Sequence, residues 1–397
     1  MTTAGYEDDD VETMSDERDK AQPDRLDAAV DAAVIDVVIV GGGQAGLGMG
    51  YRLRQAGVPF VILDDRERTG DVWRERWQSL VLFTPKRFAA LPGLPLPDDA
   101  DGYPRKDQLA DYLERYAEQH DLPITHGARV TAVRETPQGF RVESSAGEIE
   151  AKAVVIATGP FQYPRVPRVG ARLDVKVHQV HSSAYRSPAD VPGGRVAVVG
   201  GGNSAAQLAV ELAEASDGER DVTMIAPQQP WFIPERILGI SVYWPLSIFG
   251  VLDSPAESRI SRYIHSRGDG ILGTEAKRAV RSGRLALHTS RVVDARDRSL
   301  VLADGSQLEV DAVLWATGFR THYPFVNVPE ALTEYGAPRH DGGVSPVDGL
   351  YWIGLPWQRR LDSSILHGIA ADSRDLLDPL LQHLGRVPAA RSASMER

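Results

Sequence analysis

The sequence contains no cysteine among its 397 residues. That absence excludes disulfides, thiolate metal ligands and any redox-active dithiol, so reduction of a disulfide through a protein thiol pair is not chemistry this chain can perform. Basic clusters are also missing, and without them the footprint needed to hold a phosphate backbone is lacking; no nucleic acid is expected as a partner. The longest uncharged run, 237–252, is shorter than the ~20 residues that span a bilayer. No membrane span is expected, and the acidic amino end lacks the charged-then-apolar pattern of a signal peptide, so a cytoplasmic location is expected. No carboxylate pair, Ser/His/Asp set or metal-ligand spacing stands out, and no metal site is expected.

Charge is unevenly distributed. Of the net -11, residues 1–34 hold eleven acids against Arg18, Lys20 and Arg25, a balance of -8 that leaves the remainder near -3. So acidic and apolar-poor a segment cannot bury enough surface to offset its ordering entropy, and a disordered, solvated tail is expected there. The whole chain is 42% hydrophobic and 25% charged, the mixture of a globular protein large enough for two or three domains.

What the sequence does have is glycine in a particular grammar. The β-branched run Val34–Val40 suits a parallel strand buried on both faces. Gly41-Gly42-Gly43-Gln44-Ala45-Gly46 follows at once and opens a helix to about Ala56, with Gly57 as its stop and Val58 to Leu63 as the next strand. The same order returns at Arg195–Val199, Gly200-Gly201-Gly202-Asn203-Ser204-Ala205, a helix to about Ala215 and a strand at Val222 to Ile225. Between the two units lie a polar helix, Lys106 to His120, and alternating segments suited to a small antiparallel sheet. Two short strands, Ala153–Ile156 and Ala312–Trp315, each run into Ala-Thr-Gly, at Ala157-Thr158-Gly159 and Ala316-Thr317-Gly318. The recurrence suggests that each marks a crossing between domains. The expected fold class is therefore α/β, with two nested Rossmann-like dinucleotide-binding domains. The outer one spans 35–187 and 317–384 and the inserted one 188–316, with a mobile tail at 385–397.

In a G-x-G-x-x-G turn the first glycine allows the tight turn, the second lets backbone approach a pyrophosphate, and the third lets helix pack on strand, while the helix amino terminus faces the anion. Gly41, Gly43, Gln44, Ala45 and Gly46 fill this role, and Asp64, at the end of the second strand with Asp65 beside it, is placed to accept ribose hydroxyls. Gly200, Gly202, Asn203, Ser204 and Ala205 form a second site of the G-x-G-x-x-A type. Two dinucleotide sites in one chain imply hydride transfer between them, most economically with FAD in the first and NADPH or NADH in the second.

The two glycine motifs, the paired Ala-Thr-Gly segments and their order resemble the flavin-containing monooxygenases. Local segments extend the likeness: Val72 to Lys86, Leu91-Pro92-Gly93-Leu94-Pro95 and Pro234-Glu235-Arg236-Ile237-Leu238-Gly239 resemble plant YUCCA-type enzymes and small bacterial flavin monooxygenases. By that resemblance the stretch from Trp73 to Pro85 runs beside the flavin ring, which makes Trp73, Arg74, Trp77, Thr84 and Pro85 cofactor contacts. Val130, Ala157, Thr158, Gly159, Thr317 and Gly318 complete the set. The family's FxGxxxHxxxY signature is half kept, in His181 and Tyr185, with Val175 and Val177 where Phe and Gly are expected. His181 is read as a structural histidine at the junction or as a nucleotide-positioning one. The resemblance implies that NAD(P)H reduces FAD, that O2 adds to the reduced ring as a C4a-hydroperoxide, and that a small organic substrate takes one oxygen atom. Gln78 is the candidate for stabilising that adduct. The alternative is a flavoprotein reductase that passes electrons to a carrier protein.

The aromatic and aliphatic run 237–252 is broken by Gly239, Pro245 and Gly250. It is read as buried core or, through Tyr243 and Trp244, as an apolar wall of the substrate passage. At the end of Val222–Ile225, Pro227 stands where NADPH-selective relatives carry an arginine, and Ala226 stands where an NAD-selective site carries an acid. Gln228 and Gln229 can bond either ribose. Sulfide, amine, ketone and α-keto acid remain open as substrates, and a homodimer is compatible with the sequence.

Overall fold

The computed structural model describes residues 35–96, 102–215, 218–268 and 270–386; the expected acidic tail, and all but Gly385 and Arg386 of the expected carboxyl-terminal tail, lie outside the described residues. Two five-stranded parallel sheets organise the molecule. In the first, Val37–Val40 lies between Phe60–Leu63 and Ala153–Ile156, with Ile124–Thr125 and Leu350–Trp352 at the edges. The three inner strands are buried at every position, which is why they read as unbroken apolar runs.

One face of this sheet is covered by the glycine-motif helix Gln44–Gln55 and by the carboxyl-terminal helix Leu366–His383. The two helices touch where a glycine permits it: a Cβ on Gly48 would stand 2.5 Å from Ile369 Cγ2. The opposite face carries a three-stranded antiparallel sheet, Val130–Thr136, Gly139–Ser144 and Gly147–Ala151. Helix Lys106–Gln119, expected to be polar, is amphipathic, and it buries Leu109, Tyr112, Leu113 and Tyr116.

The second sheet repeats the plan. Its order is Ala286–Thr289, Arg220–Ala226, Gly194–Val199, Ala312–Trp315 and His178–His181. Helix Asn203–Glu214 covers one face, and the antiparallel strands Val292–Arg296, Ser299–Leu302 and Gln307–Glu309 cover the other. The architecture is thus α/β with two dinucleotide-binding folds. The two crossings lie side by side: Tyr163–Pro164 pairs antiparallel with Phe319–Arg320, and Arg165 N donates to Gly318 O at 3.0 Å.

One expectation needs correction. A boundary at 187/188 leaves His178–His181 in the first domain, yet this strand is hydrogen-bonded to Ala312–Trp315 in the second sheet. Its sequence, His-Gln-Val-His, is that of an exposed edge with only His181 buried, so it lacks the apolar signature that marks the inner strands.

The Gly48 contact makes a stability prediction. Gly48→Ala drives a methyl into Ile369 and should cost about 1–3 kcal/mol, the usual penalty of overpacking. Combining it with Ile369→Ala, which removes the contacting Cγ2, should destabilise by less than the sum of the two single changes, because the residues share one contact. Denaturant midpoints of the four proteins check this; strict additivity would remove the contact from the account.

Candidate active site

The first glycine motif is held by close approaches that allow no side chain. A Cβ on Gly41, where φ is +106°, would fall 2.8 Å from Ala157 O, and one on Gly46 would fall 1.9 Å from Gly41 O. Gly43 is different, for a Cβ there meets nothing within 4 Å. The second motif repeats this: a Cβ on Gly200 would lie 2.3 Å from Ala316 O, whereas Gly202 faces open space. In each fold, therefore, one glycine is tight because the Ala-Thr-Gly carbonyl presses on it. Another borders empty space at a helix amino terminus, a cradle that fits a pyrophosphate.

Asp64 ends the second strand and is 9% exposed. Its Oδ1 accepts from Arg66 N at 3.3 Å, and burial pushes its carboxyl above the usual range. A Cβ on Gly42 would stand 2.4 Å from Asp64 Oδ2, so this glycine, which the motif leaves unconstrained, is required here by the acid itself. Asp65 is turned to other partners, Arg66 at 3.5 Å and Arg129 at 3.8 Å. Val130 is half-buried at the head of its strand.

The segment after the motif spans the seam. Trp73 Nε1 donates to Gln44 Oε1 at 3.4 Å, while Trp77 sits in the core of the second fold with Leu80 and Tyr185. Arg74 is committed within the protein: it bonds Thr69 O, Asp71, Asp111 and Glu114 at 2.7–3.2 Å, which is a structural task. The Gln78 side chain is exposed, and its backbone N donates to Arg186 O. Thr84 Oγ1 lies 3.2 Å from Tyr243 OH, and Pro85 precedes the short turn Lys86–Phe88. Tyr243 is buried in a cluster with Phe88, Val242 and Leu252. Trp244 lies edge-on to Phe88 and under the Arg87 guanidinium.

At the crossings, Thr158 Oγ1 and Gly159 O both accept from Gln162 Nε2, and Thr317 Oγ1 donates to Arg165 O. His181 Nε2 lies 3.0 Å from Gly318 O and Nδ1 lies 2.9 Å from Ser183 Oγ; with both nitrogens engaged it is a junction histidine, and burial holds its pKa down. Tyr185 OH donates to Glu211 on the second glycine helix. Asn203 clamps the segment opposite its helix, donating to Gly270 O and accepting from Leu272 N. Ser204 is half-buried and Ala205 fully buried. Gln228 donates to Arg267 O and Gln229 accepts from Thr289.

One further cluster carries no motif along the chain. Asp253, Asp362 and His367 bring one ligand-type atom each within 4.8 Å of one another, with His367 Nδ1 2.5 Å from Asp362 Oδ2 and the His367 ring against Phe88. Asp253 lies more than a hundred positions from the other two and meets them only once the chain has folded.

Residues 38–242 match the family model described as pyridine nucleotide-disulphide oxidoreductase. An uncharacterized CzcO-like oxidoreductase of Geobacillus kaustophilus is 41% identical over 88% of this chain and 99% of its own. A probable indole-3-pyruvate monooxygenase of Arabidopsis thaliana is 28% identical, covering 88% and 89%. A solved flavin-containing monooxygenase from Stenotrophomonas maltophilia superposes with a TM-score of 0.74 at 27% identity, over 88% of this chain and 99% of that one. The chain belongs to the flavin-containing monooxygenase family. It is an oxidoreductase whose cofactors are FAD and a nicotinamide dinucleotide. The disulphide in the broader family's description has no counterpart here, since the chain has no cysteine.

Asp64 generates a test with a worked sign. Hydroxyl donors from a ribose favour the carboxylate, whereas burial alone favours the acid, so FAD binding releases a proton and affinity should rise as pH climbs through the raised Asp64 pKa. Asp64→Asn should weaken FAD roughly tenfold or more, the cost of a charged hydrogen bond, and flatten the pH dependence. Flavin titrations of the apoprotein across pH measure both, and an unchanged slope in the variant would assign the ribose to another residue.

Proposed function

We propose that this protein is an FAD-dependent monooxygenase that draws electrons from NAD(P)H and transfers one oxygen atom of O2 to a small organic substrate. The observation that carries the reading is the pair of open glycine cradles, Gly43 and Gly202, on folds whose crossings are hydrogen-bonded to each other. That arrangement suits two dinucleotides whose reactive rings meet at the seam. In this reading the outer domain begins at residue 35, is interrupted between the paired crossings, and resumes at residue 317.

When bound, FAD supplies the hydride-accepting and oxygen-activating chemistry. The protein supplies binding, orientation and exclusion of water. Gly43 and the amino terminus of helix Gln44–Gln55 receive the FAD pyrophosphate and Asp64 its adenosine ribose. Gly202 and helix Asn203–Glu214 do the same for the nicotinamide nucleotide. Phe88 and Trp244, set on the buried Tyr243–Thr84 pair, form the apolar wall beside the reacting centre. Tyr243 takes the supporting part of that wall because it is buried. Gln78, exposed within the Trp73–Pro85 segment, is the side chain that would donate a hydrogen bond toward the reacting centre. Sulfides, amines, ketones and α-keto acids are the substrate classes, the last supported by the likeness to indole-3-pyruvate monooxygenases.

Mixing reduced holoenzyme with O2 in a stopped-flow spectrometer separates this reading from a carrier-protein reductase. A transient absorbing species before oxidised flavin returns is expected; a single-step return would favour the reductase. Product formation from a thioether, a tertiary amine, a cyclic ketone and indole-3-pyruvate then ranks the classes.

Nucleotide choice is the other expected outcome. Pro227 offers no guanidinium fork for a 2′-phosphate, Ala226 offers no acid to repel one, and the Gln228 amide is spent on Arg267 O. NADH and NADPH should therefore differ in kcat/KM by roughly tenfold or less, about 1.4 kcal/mol, and Pro227→Arg should shift the ratio toward NADPH. A wild-type preference above about a hundredfold (2.8 kcal/mol) defeats the argument.

A further inference from the structure

Arg76 is a cation without an anion. Among the described residues no hydrogen bond or ion pair is formed by its guanidinium; its one recorded contact is the Phe319 ring, 5.8 Å from Cζ to centroid. The charges around it make this more unusual. Two cations, Arg66 and Arg186, oppose it. Glu75, the one carboxylate close enough to favour it, is already gripped through both oxygens by Arg66 Nη1 at 2.9 and 2.8 Å. Arg186 spends its own guanidinium on two carbonyls, Ser183 O and Tyr185 O. Burial accordingly holds the Arg76 pKa below the usual arginine range. A half-buried guanidinium set beside like charge and without a carboxylate of its own is favoured by an anion that completes it. Other arginines in the same stretch show the ordinary solution, since Arg74 and Arg68 both end on carboxylates.

The position of Arg76 says which anion. Phe319 directly follows Gly318, the end of the second Ala-Thr-Gly, and its ring stacks edge-on with His181, the last residue of the neighbouring strand. Arg76 thus faces the carboxyl ends of the second parallel sheet, where ligands of such folds bind, on the side of the strand Ala312–Trp315 away from Gln228. The adjacent Trp77 is anchored in the second fold's core, which fixes the backbone from which Arg76 projects.

We propose that Arg76 is a binding residue for the nicotinamide nucleotide, closing as a guanidinium clamp on its pyrophosphate from across the seam. A planar fork matches phosphate oxygens bidentately, and the clamp reaches the nucleotide from the outer fold while Gly202 and helix Asn203–Glu214 hold it from the inner one. Arg186 lends long-range attraction to the same anion. This rests on the assignment of the second cradle to a nicotinamide nucleotide.

The test uses FAD-loaded protein and calorimetric titration with NADP+, which needs no turnover. Arg76→Gln should raise the NADP+ Kd roughly tenfold or more, as expected when a charged hydrogen bond is lost, and should flatten the dependence of Kd on salt. Arg76→Lys should recover part of the loss. Inorganic pyrophosphate should compete with NADP+ on the wild type and lose that competition in Arg76→Gln, while flavin content and thermal midpoint stay as in the wild type. Loss of flavin with an unchanged NADP+ Kd would reassign the clamp to FAD and overturn the inference. An unchanged Kd with a lowered midpoint would make Arg76 structural and overturn it as well. If the wild type binds no nicotinamide nucleotide at all, the reading of the second cradle fails instead, and the two failures are told apart by that control.

Discussion

The contact on which the rest of the structure depends is the approach of a motif glycine to the alanine carbonyl of an Ala-Thr-Gly. Gly41 lies against Ala157 O and Gly200 against Ala316 O so closely that an added Cβ would stand at 2.8 and 2.3 Å. Each contact fixes three things together: the turn that exposes the helix amino terminus, the parallel pairing of the strand that precedes the alanine, and the point at which the chain leaves its sheet. A larger residue at either glycine would push the crossing strand outward and move the cradle away from the seam. Because both folds use the same contact, the two cradles are positioned by the same few atoms.

The seam itself is held by short-range chemistry. Trp73 reaches back to the first motif through Gln44, and Trp77, one turn on, is packed into the second fold. Arg74 between them is tied into a carboxylate network with Asp71, Asp111 and Glu114, so the short helix Asp71–Arg74 acts as a bracket whose orientation is set by charge and whose ends are set by aromatic packing. At the far side, His181 and Gly318 share a hydrogen bond that ties the edge strand to the crossing. Relative movement of the folds would have to strain one of these links.

Much of this was legible in the sequence, and the reasons for the exceptions are physical. The inner strands were visible because burial on both faces leaves only β-branched and apolar residues, and the motif helices were visible because glycine punctuates them. The edge strand His178–His181 was not, since an edge exposes half its residues and erases the pattern. The carboxyl-terminal helix Leu366–His383 contains Pro379, which argues against a continuous helix when read alone; packing against the first glycine helix overrides it. The sequence shows the neighbourhood of Arg74 along the chain and hides its carboxylate partners 37 and 40 positions away. The constraint on Gly42 is hidden for the same reason, being a side chain, Asp64, at the end of the next strand.

The paired crossings have a consequence for how such a molecule is assembled. The inner fold enters beside Tyr163–Pro164 and leaves beside Phe319–Arg320, two strands already hydrogen-bonded to each other. Topologically it is a very large loop on a hairpin: its ends are neighbours, so it can be gained, lost or exchanged as a cassette without the outer sheet changing its strand order. The outer fold, by contrast, is sewn from two distant pieces of chain, and its edge strand Leu350–Trp352 and carboxyl-terminal helix are synthesised only after the whole inner fold. During synthesis the inner fold can therefore close first, with the outer one waiting open at the hairpin until its last strand and helix arrive.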